Sequence, residues 1–197
     1  MTTLPKERPI LFSAPMVCAI LDGSKTQTRR VVKPVRRYEH NNICRPDLVE
    51  DPYAVWWHGV SENVGCFQIC PYGTPGDRLW VRETWAYERD GTGCPDDTGI
   101  LYRATDPGWD DEETGLRWRP SIYMPRRASR ILLEITDIRV QRLQEISEED
   151  ARAEGYDPQS TDFPALWFHG LWDTIHGSGA WHANPWVWAI TFRRIQP

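Results

Sequence analysis

The chain has 197 residues, of which 40% are hydrophobic and 26% charged, with a formal net charge of −5. That length and composition suit one globular domain with a single core, and the acidic balance excludes a global field that attracts nucleic acid. No apolar run approaches the ~20 residues of a membrane span, so no membrane partner is expected.

Residues 1–9 read as an N-terminal tail and 10–197 as one domain. FSAPMVCAILDG predicts a short helix, with Ser13 as cap, Pro15 in the first turn and Gly23 at the stop. TQTRRVV is β-branched and reads as extended. Residues 34–73 show no helix pattern and read as an insertion folding back over the core, with YAVWW and CFQIC as candidate strands. Pro75-Gly76 marks a turn. RLWVRETW follows as a strand, with Leu79 and Val81 on one face and Trp80 and Arg82 on the other. Arg82 and Glu83 read as a surface or cleft pair. ILYRA predicts a short strand, and the acidic stretch at about 104–116 a mobile loop.

WRPSIYMPRRASR is irregular and leads into ILLEITDIRVQRL, a strong strand signal. SEEDARAEG has the marks of a capped helix: Ser147 three before Asp150, acids in the first turn, and Gly155 at the end. DFPALWFHGLWDTIHG is the longest helix, with Phe168, Leu171, Trp172 and Ile175 at helical spacing. NPWVWAITFRRI closes the series as a strand. Strands with three short helices predict a compact barrel-like sheet with helices at its edges.

Charge is clustered. From Gly23 to Arg37 there are six basic residues and no acid; from Arg117 to Arg130 there are five Arg and no acid. Two local patches on an acidic chain suit an anionic ligand. In the second patch Arg alternates with Trp118, Tyr123 and Met124. That pattern either stacks bases and pairs phosphates of a single strand or forms a Pro-rigid loop packed on the core. The five Cys, an odd count with no signal peptide, predict reduced thiols in the cytoplasm. Cys44, Cys66, Cys70 and Cys94 could offer four thiols to zinc, but their spacing lacks paired knuckles. His58, His169, His176 and His182 have no metal-ligand spacing, and no Gly-rich phosphate loop or G-x-S-x-G occurs. Neither metal nor cofactor is expected.

ILDGSKTQTRR, PGDRLWVRETW, EISEEDARAEG and NPWVWAITFRRI together resemble ASCH-domain proteins, in particular the long form of phages and prophages. The resemblance spans about Ile10 to Ile195, outside Tyr38–Asn63 and Asp90–Glu113. It implies an α+β fold: a PUA-like (ASCH) mixed β-barrel with short flanking helices and a long irregular insertion. It also implies binding of RNA or a modified nucleoside in a cleft between barrel and helices, in the cytoplasm of a bacterial host.

Small bacterial members of that family are amidohydrolases that deacetylate N4-acetylcytidine. Their catalytic Lys and Thr lie in G-x-K-x-x-T, and their Glu ends a later helix. These positions fall on Lys25, Thr28 and Glu154. Thr28 would attack the acyl carbonyl, and Lys25 would take its proton if its pKa is lowered by Arg29, Arg30 and burial. Glu154 would manage protons at the leaving nitrogen. Arg30, Trp80 and Arg126 are the candidate substrate-binding residues. A regular strand points residues 25 and 28 to opposite faces, so convergence requires Lys25 in the turn after Gly23, or a bulge. The rival reading is a non-catalytic phage structural or host-interaction protein using a Trp-rich surface.

Overall fold

The computed structural model describes residues 4–33, 46–48, 53–58, 65–87, 99–106, 108 and 116–195. Alternating apolar residues build its main sheet. Strand β6 (Arg78–Arg82) buries Leu79 and Val81, and β9 (Leu132–Arg142) buries Leu133, Ile135 and Ile138. With β1 (Glu7–Leu11), β2 (Gln27–Val31) and β10 (Trp186–Ile195) they form a mixed five-stranded sheet in the order β1-β6-β9-β10-β2. Only the β1–β6 pair is parallel.

Strand β10 is covered on both faces. Trp188 and Ile190 join the main core, which Val17 and Ile20 of α1 (Ala14–Asp22) complete. Val187 belongs to a second cluster with Ala151 of α2 (Glu148–Ala153) and Phe168 and Trp172 of α3 (Pro164–His176). Each such fully buried large side chain contributes about 1.5–3 kcal/mol. This explains why WVWAI is continuously apolar rather than alternating.

The α+β class holds, but the described strands do not close into a barrel. The sheet is open, with β1 and β2 as its edges. A side chain, not a backbone ladder, spans from one edge to the other: Arg30 Nη2 of β2 donates to the Leu11 carbonyl of β1 at 2.6 Å.

The stretch read as an insertion contributes a separate antiparallel sheet of β3 (Pro46–Leu48), β4 (Ala54–His58) and β5 (Gly65–Ile69). Cys70 N donates to Tyr53 O at 2.8 Å, and Tyr53, Cys70 and Tyr72 pack on the main core. A short pair, β7 (Trp85–Tyr87) and β8 (Ile100–Tyr102), covers Met124 and Ala128. No helix among the described residues is long and apolar enough to cross a membrane.

Some local expectations shift. Strand β1 starts at Glu7, inside the stretch read as a tail, because pairing with β6 outweighs its polar composition. In the acidic stretch, residues 107 and 109–115 lie outside the described residues. Ala104–Asp106 instead belong to a turn in which Asp106 Oδ2 accepts from Tyr102 N at 3.0 Å, and Leu116 is buried. Ser13 stands at the N-cap of α1 but makes no side-chain cap bond. Ser147 caps α2 as expected, accepting from Asp150 N.

Gly155 ends α2 at φ +92, and a Cβ there would lie 3.1 Å from Ala19 Cβ and 3.2 Å from Lys25 Cβ. Gly155→Ala combines left-handed strain with crowding at the α1–β2–α2 junction. Urea denaturation is expected to record a loss of about 1–3 kcal/mol; an unchanged midpoint contradicts the close approach.

Candidate functional site

The site begins at the turn after α1. Gly23 takes φ +87, and Ser24 N donates to Asp22 Oδ1 at 2.8 Å. The next amides tie the chain to two elements: Lys25 N donates to Ala19 O and Thr26 N to Ala153 O, both at 2.8 Å. Lys25 thus lies ahead of β2, in an isolated antiparallel bridge with Glu154 at the end of α2. Gly23 makes the turn, and Lys25 follows it in that bridge rather than lying in the turn itself.

Lys25 Nζ donates to Glu154 O at 2.7 Å and to Glu154 Oε2 at 2.8 Å, with a side chain 0% exposed. Arg29 Nη1 donates to the other carboxylate oxygen, Oε1, at 3.1 Å, and Arg29 Nη2 to Asp150 Oδ2 at 2.8 Å. Gln27 completes the network: its Oε1 accepts from Arg29 Nη1 at 2.6 Å and its Nε2 donates to Asp150 Oδ1 at 3.1 Å. Lys25, Gln27 and Arg29 alternate along the chain, while Asp150 in the first turn of α2 and Glu154 at its C-cap stand four apart. Two interior cations are tolerable because each finds a carboxylate.

Beside this network lies a cavity of about 320 Å³. Thr28, Arg29, Arg30 and Glu154 line its polar side; Phe12, Phe168 and Trp172 line its apolar side. Thr28 and Glu154 therefore face one space, and Lys25 is bonded to Glu154. No hydrogen bond joins Lys25 to Thr28, and the Thr28 hydroxyl has no hydrogen-bond partner among the described residues. Three buried donors of lining residues, Arg29 Nε, Arg30 Nε and Trp172 Nε1, also lack a partner among the described residues. Each such group costs about 1–3 kcal/mol.

Burial is the main force holding the Lys25 amine below its usual range; the Glu154 charge opposes it, and Arg30 and Arg29 add smaller pushes downward. Repulsion from the arginines is thus secondary to desolvation. The His176 imidazole, in the last turn of α3 and on the cavity lining, is lowered by burial and by Arg30. Its ring lies 4.1 Å from that of Trp172. Asp150 is held below the ordinary carboxylate value: burial would raise it, but the Arg29 charge and bonds from Arg139 and Gln27 outweigh that.

Other candidates are not brought here. Trp80 is half-buried beneath the Arg82 guanidinium, 4.9 Å from its ring centre, outside this cavity's lining. Arg126 is exposed and pairs with Glu7 Oε2 at 2.8 Å. Glu83 is buried and bidentate with Arg130, at 2.9 and 3.0 Å, rather than paired with Arg82. In the second basic patch Met124 is buried and Arg119 stacks over Trp85 and Tyr87; Tyr123 stays exposed, and only Ser121 reaches the cavity. No metal-binding group of three or more His, Cys, Asp or Glu occurs among the described residues. Cys44, Cys94 and the side chain of Cys66 lie outside them, and burial pushes the Cys70 thiol up to about 11.

The sequence pattern missed Asp150, Phe12, Phe168, Trp172 and His176 as site residues, and noted Arg29 only as a neighbouring charge. The available signal was the alternation of Lys25, Gln27 and Arg29 against two acids one helical turn apart. No family model, curated protein or solved structure matches the chain.

Because the folded-state pKa of Asp150 is depressed, its contribution to stability is present above the unfolded value, near 3.8, and is lost as pH falls through the folded value. Asp150→Asn removes that dependence. In urea denaturation between about pH 5 and pH 2, the gap between wild type and Asp150→Asn is expected to shrink as pH falls. A constant gap contradicts a native-state ion pair.

Proposed function

We propose that the chain is an ASCH-type, PUA-like protein that takes RNA or a modified nucleoside into this cavity and hydrolyses an N4-acylated cytosine derivative there. The observation that carries the reading is the meeting of Thr28 and Glu154 on one cavity wall, with Lys25 buried and bonded to Glu154. The cavity's size is that of a small-ligand site, and Phe12, Phe168 and Trp172 offer rings to a flat base.

In this reading the base lies against the aromatic side with its acyl carbonyl toward Thr28. Neutral Lys25 takes the Thr28 hydroxyl proton, directly or through one water, as Oγ bonds to the carbonyl carbon. Arg30 stabilises the resulting oxyanion. The C–N bond then breaks and the proton passes through the Lys25–Glu154 pair to the cytosine amine, leaving an ester on Thr28. Water attacks that ester, releasing the carboxylic acid and restoring the hydroxyl. Lowering of the Lys25 pKa by burial makes the neutral amine accessible.

The rival reading, a Trp-rich contact surface, draws little support: none of the eight tryptophans whose burial is described is exposed.

Incubation with N4-acetylcytidine, following loss of the acetylated chromophore, tests the proposal. Thr28→Val should lower kcat/KM by about 10⁴-fold or more while the unfolding midpoint changes little. The acid limb of kcat/KM should rise with pH and level off below the ordinary lysine value of 10.5, as the lowered Lys25 pKa requires. An active Thr28→Val protein removes Thr28 as nucleophile. A wild-type protein that binds single-stranded RNA in a salt-sensitive way without turnover removes the hydrolase and keeps the binding module.

A further inference from the structure

Arg30 has a second side. A smaller cavity of about 200 Å³ lies against the opposite stretch of β1, lined by Pro9, Ile10, Leu11, Arg30, Tyr72 and Arg82. Arg30 and Leu11 belong to both linings, so the two cavities adjoin at the Arg30–Leu11 hydrogen bond that spans the sheet's seam. Two guanidiniums and a phenol converge on the smaller space, and no carboxylate is among its described lining residues.

The donors there are under-used. Arg30 commits Nη2 to the Leu11 carbonyl, leaving Nη1 without a hydrogen-bond partner among the described residues. Arg82 commits Nε to the Met124 carbonyl at 3.1 Å and rests on Trp80, leaving its two terminal nitrogens without partners among the described residues. The Tyr72 hydroxyl likewise has none. Burial raises the Tyr72 phenol against the pull of the Arg30 charge, so it stays a donor. Several donors and two positive charges around a small volume match a phosphate: compact, doubly charged and rich in acceptors.

The geometry points to a phosphate site in this second cavity, in which Arg30, Arg82 and Tyr72 hold the phosphate of a ligand whose ring occupies the larger cavity. The substrate class is then a nucleotide or a nucleotide unit of RNA, rather than a free nucleoside. This inference rests on the nucleoside reading of the larger cavity, and Arg30, touching both spaces, is the residue that couples ring to phosphate.

Titration calorimetry on the full chain tests it, with cytidine, cytidine 5′-monophosphate and inorganic phosphate as probes. The monophosphate should bind about tenfold or more tightly than cytidine, and inorganic phosphate should compete with it. Arg82→Gln should abolish that preference, and Tyr72→Phe should reduce it. Tyr72→Phe keeps the test decisive if Arg82→Gln, which gives up the Met124 contact, does not fold. Equal affinity for cytidine and its monophosphate overturns the inference, as does a preference that survives in both folded variants. Phosphate binding that depends on Arg82 without any cytidine binding supports the anion site and defeats the nucleoside reading. Loss of acetylcytidine turnover alone touches neither result, because binding is the readout.

Discussion

The buried contact between Lys25 and Glu154 is the constraint on which the site depends. Its side chains are 0% and 4% exposed, so neither charge can rely on bulk water. A lone interior ammonium would cost several kcal/mol. Its position is therefore fixed by where its partner stands, and the partner stands at the end of α2. Three backbone bonds enforce the match from outside the pair: Lys25 N to Ala19 O, Thr26 N to Ala153 O and Phe192 N to Thr26 O. In this way α1, β2, α2 and β10 meet at one junction, and Gly155 packs its missing side chain against the same lysine.

From that junction the cavity follows. Once Lys25 and Arg29 turn toward α2, Thr28 is left facing the space between the sheet and α3, whose Phe168 and Trp172 form the far wall. Glu154 links the halves, because one carboxylate accepts from both cations while lining the cavity. The same arrangement that neutralises the interior charges puts Glu154, the partner of the desolvated Lys25 amine, on the lining that also carries Thr28. Arg30 extends this logic to the edge of the sheet, where it spans toward β1 and separates two concave spaces.

Much of the framework was legible in the sequence because it is local. The capping pattern at Ser147, the Gly23 stop and the β-branched, aromatic run of β10 carry their structure within a few residues. The strands at YAVWW and CFQIC were legible for the same reason. What escaped was non-local. Glu7–Pro9 look like a polar tail until β6 is there to pair with them. Glu83 looks like a neighbour of Arg82 until Arg130 arrives, 47 residues later, with a bidentate grip. Arg126 and Trp80 have the composition of a ligand site, yet an acid on β1 and a stacked guanidinium take them up. Thr28 and Glu154 are 126 residues apart, and only the meeting of β2 with α2 puts them on one wall.

A double-mutant cycle on Lys25→Met and Glu154→Gln, read by urea denaturation, tests this account most directly. Lys25→Met leaves Glu154 Oε2 without its donor and Glu154→Gln leaves the Lys25 ammonium without its counter-charge, whereas the double variant removes both charges together. The account predicts a coupling energy of about 2–3 kcal/mol, with the double variant less destabilised than the sum of the singles. Additive losses would contradict it, since they would mean that Lys25 and Glu154 do not hold one another in place.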